Sequence, residues 1–101
     1  MKLSDLVKII EVPIEGTDIV IKIKSELSWY DQLESFKIKD FEERGIFVLP
    51  KMIQDWNITD DDGKILPINE ENVKKLPRKV AQPVIDRINK EILSKVEKKK
   101  K

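Results

Sequence analysis

Thr17-Asp18-Ile19-Val20-Ile21-Lys22-Ile23-Lys24 is the stretch on which the fold turns. Ile19, Ile21 and Ile23 fall on one side of an extended chain and Lys22 and Lys24 on the other, the period-two alternation of a strand with one dry and one wet face. Working upstream, Glu15-Gly16 is a turn signal, and before it Lys8 to Ile14 is rich in β-branched residues. The two runs predict an antiparallel hairpin, with Pro13 placing the first strand at an edge because proline gives no N–H to a neighbouring strand. Ahead of the hairpin, Leu3, Leu6, Val7 and Ile10 recur at helical spacing, with Ser4 in position for an N-cap.

Downstream the period changes. Ser28 is placed as an N-cap with Asp31 three residues on, and Trp29, Leu33 and Phe36 make an apolar stripe, so a short helix is predicted. Phe36 to Phe41 alternates briefly and fits either the end of that helix or a loop. Glu43-Arg44-Gly45 offers a break, after which Ile46, Phe47, Leu49, Met52, Ile53 and Trp56 predict a second helix with Pro50 in its first turn. Asn57 to Pro67 is dense in turn formers, and Asp62-Gly63 marks a tight turn. Asn69 caps a short helix with Glu70 and Glu71 in its first turn, ending near Leu76-Pro77. From about Arg78, with Pro83 near the first turn, Val80, Val84, Ile85, Ile88, Ile92 and Val96 mark one face of a last helix. The expectation is one α+β domain over residues 1–97, an N-terminal antiparallel β-hairpin packed on three to four helices with a long C-terminal amphipathic helix, followed by a solvated lysine tail at 98–101. Its expected core is Ile19, Ile21, Ile23, Leu33, Ile53, Trp56, Leu76, Ile85 and Ile88.

Composition narrows function. The chain has 101 residues, room for one modest core, and 39% of them are charged, well above the roughly 25% of an average domain. Twenty Lys+Arg against 19 Asp+Glu leave a net charge of +1, which argues against recruitment to nucleic acid or an anionic membrane and in favour of protein partners. There is no His and no Cys, so the usual general bases, thiol nucleophiles and zinc ligands are missing, and no catalytic residue, cofactor or metal is expected. Met1 to Ile10 carries Asp5 and Lys8 and has no long uncharged run, which argues against a signal peptide or a membrane span and for a cytoplasmic protein.

Four features bear on chemistry or binding. Asp60-Asp61-Asp62 before Gly63 has the look of a calcium loop, but a loop with Gly63 at its sixth position would start at Ile58 and end at Asn69, neither of which supplies the required carboxylate; a solvated acidic turn is expected. The terminal lysines lack interleaved aromatic or arginine stacking groups and read as a solubilising tail. Gly16, Gly45 and Gly63 stand apart, so no phosphate-cradling loop is present. Trp29, Phe47 and Trp56 are the candidate partner-binding residues, since aromatic side chains commonly anchor protein interfaces, although core packing is the more ordinary role for both tryptophans.

The run from Ile53 through Trp56-Asn57-Ile58, the acidic turn Asp60-Asp61-Asp62, Gly63-Lys64, Ile65-Leu66-Pro67-Ile68 and on to Leu76-Pro77 and an amphipathic helix resembles small tail-assembly proteins of long-tailed bacteriophages and prophages. The likeness covers about the last half of the chain, and the hairpin followed by Leu27-Ser28-Trp29 agrees with it loosely. It implies a non-enzymatic chaperone that holds a tape-measure or tail-tube protein before polymerisation. Alternatives are a structural virion component, such as a tail-completion or head-tail connector subunit, and a nucleic-acid-binding accessory protein.

Overall fold

The structure is a computed structural model that describes the backbone through residue 100 and side chains through residue 91. It is an α+β fold with a three-stranded antiparallel sheet and four helices. Strands β1 (Ile9–Pro13), β2 (Val20–Lys24) and β3 (Ile53–Trp56) lie in the order β1-β2-β3, with β2 central. Helices α1 (Trp29–Phe36) and α2 (Phe41–Met52) separate β2 from β3, and α3 (Glu70–Lys74) and α4 (Arg78–Lys100) follow the sheet.

The hairpin forms as the alternation dictates. Val12 pairs with Ile21 and Ile10 with Ile23, and Ile21 and Ile23 are fully buried. Pro13 sits on the edge strand opposite Val20, where its missing N–H costs no ladder bond to a third strand. Gly16 takes the turn at φ 81°, and the Thr17 hydroxyl donates to the Ile14 carbonyl at 2.8 Å while accepting from the Ile19 amide at 3.0 Å. Before the hairpin, the chain makes a single 3-10 turn (Leu3–Leu6) instead of a helix; Ser4 does not cap it, and the Asp5 carboxylate accepts from the Lys2 amide at 3.0 Å.

The second predicted helix is shifted and cut short. Asp40 is its N-cap, accepting from the Glu43 amide at 2.9 Å, so α2 runs straight through Gly45, which is no break. Pro50 stands in its last turn, not its first; lacking an N–H for the Ile46 carbonyl, it helps end the helix at Met52. Ile53 and Trp56 therefore belong to a strand. Their spacing of three looks helical, and a register shift explains it: Ile21 pairs with Trp56 and Ile23 with Ile53, so two residues of β2 span the same length as three of β3. This β-bulge turns both Ile53 and Trp56 to the buried face while Gln54 and Asp55 stay exposed.

The core gathers Val12, Ile14, Ile21 and Ile23 from the hairpin, Leu49, Met52, Ile53 and Trp56 from α2 and β3, Val73 from α3, and Val80, Val84 and Ile88 from α4. Of the expected core, Ile19, Leu76 and Ile85 are partly buried against this cluster, and Leu33 is outside it. Asn69 caps α3 by accepting from the Asn72 amide at 2.9 Å. α4 begins at Arg78 with Pro83 inside it, and the amides of Val80 and Ala81 both donate to the Pro77 carbonyl at 3.0 Å. The expected stripe positions Ile92 and Val96 and the lysine tail at 98–101 lie outside the residues whose side chains are described.

A candidate interaction surface on the first helix

The local sequence makes α1 an ordinary amphipathic helix. The Ser28 hydroxyl accepts from the Asp31 amide at 3.2 Å, and Trp29, Leu33 and Phe36, spaced i, i+4 and i+7, fall on one face. Its packing is the reverse of ordinary. The one buried residue of the helix is Ser35, whose hydroxyl donates to the Gln32 carbonyl at 2.7 Å, while Trp29 is 76% exposed, Phe36 63% and Leu33 42%. Trp29 and Leu33 are thus solvent-facing, contrary to the core role expected of each. The physical reason is that the buried face of the sheet is already covered by side chains of α2, α3 and α4, and α1 packs on α2 through its small polar side.

Tyr30 is 63% exposed, and Phe41, at the start of α2, is 75% exposed. The turn between the helices is braced by Arg44, whose Nε and Nη2 donate to the Ile38 carbonyl at 3.0 and 2.7 Å. The Tyr30 hydroxyl hydrogen-bonds to the Glu34 carboxylate; this holds the Glu34 carboxyl below its ordinary value and, with the adjacent negative charge, pushes the Tyr30 phenol up. Lys37 lies 3.5 Å from the same carboxylate.

The other two aromatic candidates are placed differently. Trp56 is only 3% exposed, and its Nε1 donates to the Leu66 carbonyl at 2.8 Å, which ties the 57–68 loop to the sheet. It serves the core. Phe47 is half-buried in α2, with the Lys51 ammonium 4.8 Å above its ring. The structure therefore does not bring Trp29, Phe47 and Trp56 together as one set of exposed anchors.

The acidic loop is a turn. Asp60 Oδ1 accepts from the amides of Asp62 and Lys64 at 2.8 and 3.0 Å, Gly63 takes φ 82°, and Thr59 bridges to Ile65. That oxygen is committed to backbone amides of its own loop. On the outer face of the sheet an open concavity of about 510 Å³ is lined by Ile9, Glu11, Lys22, Gln54 and Asp55. Among the described residues no helix is long and apolar enough to cross a membrane.

The near-zero net charge conceals a division along the chain. Residues 1–73 hold 9 Lys+Arg and 16 Asp+Glu, whereas residues 74–101 hold 11 and 3. Residues 26–43, the segment that holds α1 and the start of α2, have six carboxylates (Glu26, Asp31, Glu34, Asp40, Glu42, Glu43) and two lysines.

Comparison with protein-family models, with curated proteins and with solved structures gives no match.

Proposed function

We propose that this chain is a non-enzymatic assembly protein of long-tailed bacteriophages or prophages, a chaperone that holds a tape-measure or tail-tube protein before it polymerises. The observation that carries the interaction reading is the outward apolar stripe of α1, with Trp29 at its head. A monomer that gains nothing by exposing Trp, Phe and Leu on one helix face leaves them there for a partner to cover. The absence of His and Cys fits a protein that works by binding, and the phage assignment rests on the resemblance of the stretch from Ile53 to Pro77. In this reading the hairpin and the helices packed on it form the soluble body, the long C-terminal amphipathic helix completes it, and the protein acts in the cytoplasm of the bacterial host.

The test is co-expression with tape-measure and tail-tube proteins followed by pull-down at low and high salt. Retention of either protein at both salt concentrations is expected, because desolvated aromatic anchors are screened far less than exposed lysines. Deleting Lys98 to Lys101 should leave it intact. Retention of neither protein, or loss on removing the four lysines alone, would overturn the proposal.

A further inference from the structure

We infer that the Asp62–Gly63 peptide bond is a site of spontaneous aspartate isomerisation, and that Asp60 restrains the reaction. The site is independent of the binding role proposed above. Asp62 is the one aspartate or asparagine of the chain that precedes a glycine. That neighbour matters because a glycine amide nitrogen has no Cβ beside it and is the backbone nitrogen most open to attack a side-chain carboxyl. The turn in its place calls for glycine, since residue 63 holds φ 82°. The residue that lets the chain turn thus also makes the bond before it reactive. Asp62, Gly63 and Lys64 are all exposed, and a Cβ built at Gly63 would meet nothing within 4 Å, so a ring has room to form and water reaches it.

The chemistry needs only water. The Gly63 nitrogen bonds to the Asp62 carboxyl carbon, and the proton of that nitrogen leaves with the carboxyl hydroxyl as a water molecule, closing a succinimide ring. Water then adds to either ring carbonyl and breaks its bond to the nitrogen. Opening at the side-chain carbonyl restores aspartate. Opening at the main-chain carbonyl leaves the chain running through Cβ of residue 62 beside a free α-carboxylate, which is isoaspartate, of unchanged mass.

In the folded turn the attacking nitrogen is engaged. The Gly63 amide donates to the Asp60 carbonyl at 3.0 Å, and Asp60 Oδ1 accepts from the amides of Asp62 and Lys64 at 2.8 and 3.0 Å. Asp60 therefore pins the amides of residues 62, 63 and 64, and ring closure has to rotate the middle one out of the turn. Only molecules whose turn is open can react, so the rate follows the stability of the turn. Each bond to the Asp60 carboxylate is worth a factor of about 2–12 in that equilibrium, so removing both should speed the reaction about tenfold or more.

The test ages the full chain for weeks in neutral buffer at physiological temperature, folded and unfolded in guanidinium chloride. Isoaspartate is read by peptide mapping and by methylation of its free α-carboxylate with a protein isoaspartyl methyltransferase. In water enriched in heavy oxygen, each passage through the ring leaves one heavy atom in residue 62. Isoaspartate should be confined to residue 62 and form about tenfold or more slowly in the folded chain than in the unfolded one. Folded Asp60→Ala should form it about tenfold or more faster than folded wild type, with Asp60→Asn, which keeps a neutral acceptor, between the two. Circular dichroism checks that both variants are folded; if Asp60→Ala is not, Asp60→Asn and the comparison of folded with unfolded wild type still decide. Equal rates in folded and unfolded wild type, no change in either folded Asp60 variant, no isoaspartate even in the unfolded chain, or isoaspartate at another aspartate of the folded chain would each overturn the inference.

Discussion

Replacing each tryptophan by alanine is expected to give opposite results. Trp29 is 76% exposed, so roughly a quarter of a side chain of about 150–250 Å² is covered, which at about 25 cal/mol per Å² contributes about 1–1.5 kcal/mol. Because the denatured chain already hides part of that surface, the measured cost of Trp29→Ala should be about 1 kcal/mol or less. Trp56 is 3% exposed, and nearly all of its area is covered. The same reckoning gives about 4–6 kcal/mol, near or above the 3–5 kcal/mol usual for a buried aromatic, and Trp56→Ala also strands the Leu66 carbonyl. For a domain of this length 1 kcal/mol moves the melting temperature by about 4–8 °C. Trp29→Ala should therefore melt within several degrees of wild type, while Trp56→Ala should be largely unfolded or melt tens of degrees lower. Circular dichroism in a urea titration reads both without relying on tryptophan emission. A Trp29→Ala cost of 3 kcal/mol or more would mean that α1 packs its stripe inward and that no free apolar face exists.

Two further substitutions test the backbone and one tests the electrostatics. Gly63→Ala meets no atom within 4 Å but must hold φ 82°, and should cost about 1–2 kcal/mol. Gly45→Ala, inside α2 with equally open space, should instead stabilise by about 0.5–1 kcal/mol; denaturant midpoints check the signs. Tyr30→Phe removes the hydrogen bond that lowers the Glu34 pKa, so an NMR titration should show that carboxyl moving up towards its ordinary value. A folded pKa below the unfolded one stabilises above the unfolded pKa and is lost as pH falls through the folded one. The variant should accordingly lose part of the wild-type decline in stability on acidification, and an unchanged Glu34 titration would show that Tyr30 is not its partner.

Those outcomes bear on what could be read from residues alone. The hairpin, the Ser28 and Asn69 caps and the turn at Gly63 were legible because each is fixed by a few neighbouring residues. β3 was not, because its bulge gives Ile53 and Trp56 the spacing of a helix face, and only pairing with β2 reveals the extra residue. Asp40 could have been found: Asp40 with Glu43 three residues on, ahead of an apolar run, is an N-terminal signature that the alternation from Phe36 to Phe41 obscured. The orientation of α1 had no local signal at all. An apolar stripe on a helix is ordinarily read as core, and whether the core has room for it depends on side chains from α2, α3 and α4 distant in sequence. The division of charge along the chain was hidden for another reason, since a net charge taken over the whole chain averages residues 1–73 against residues 74–101.

The proposed partner-binding role depends most on α1 presenting its stripe to water, and quenching of Trp29 measures that directly. In a Trp56→Phe variant, which keeps an aromatic ring in the core, Trp29 is the sole indole. Its emission should be red-shifted and its quenching by acrylamide and by iodide close to that of a free tryptophan side chain under native conditions, with little change on unfolding in urea. A blue-shifted native emission that is shielded from both quenchers and becomes accessible only on unfolding would contradict the account.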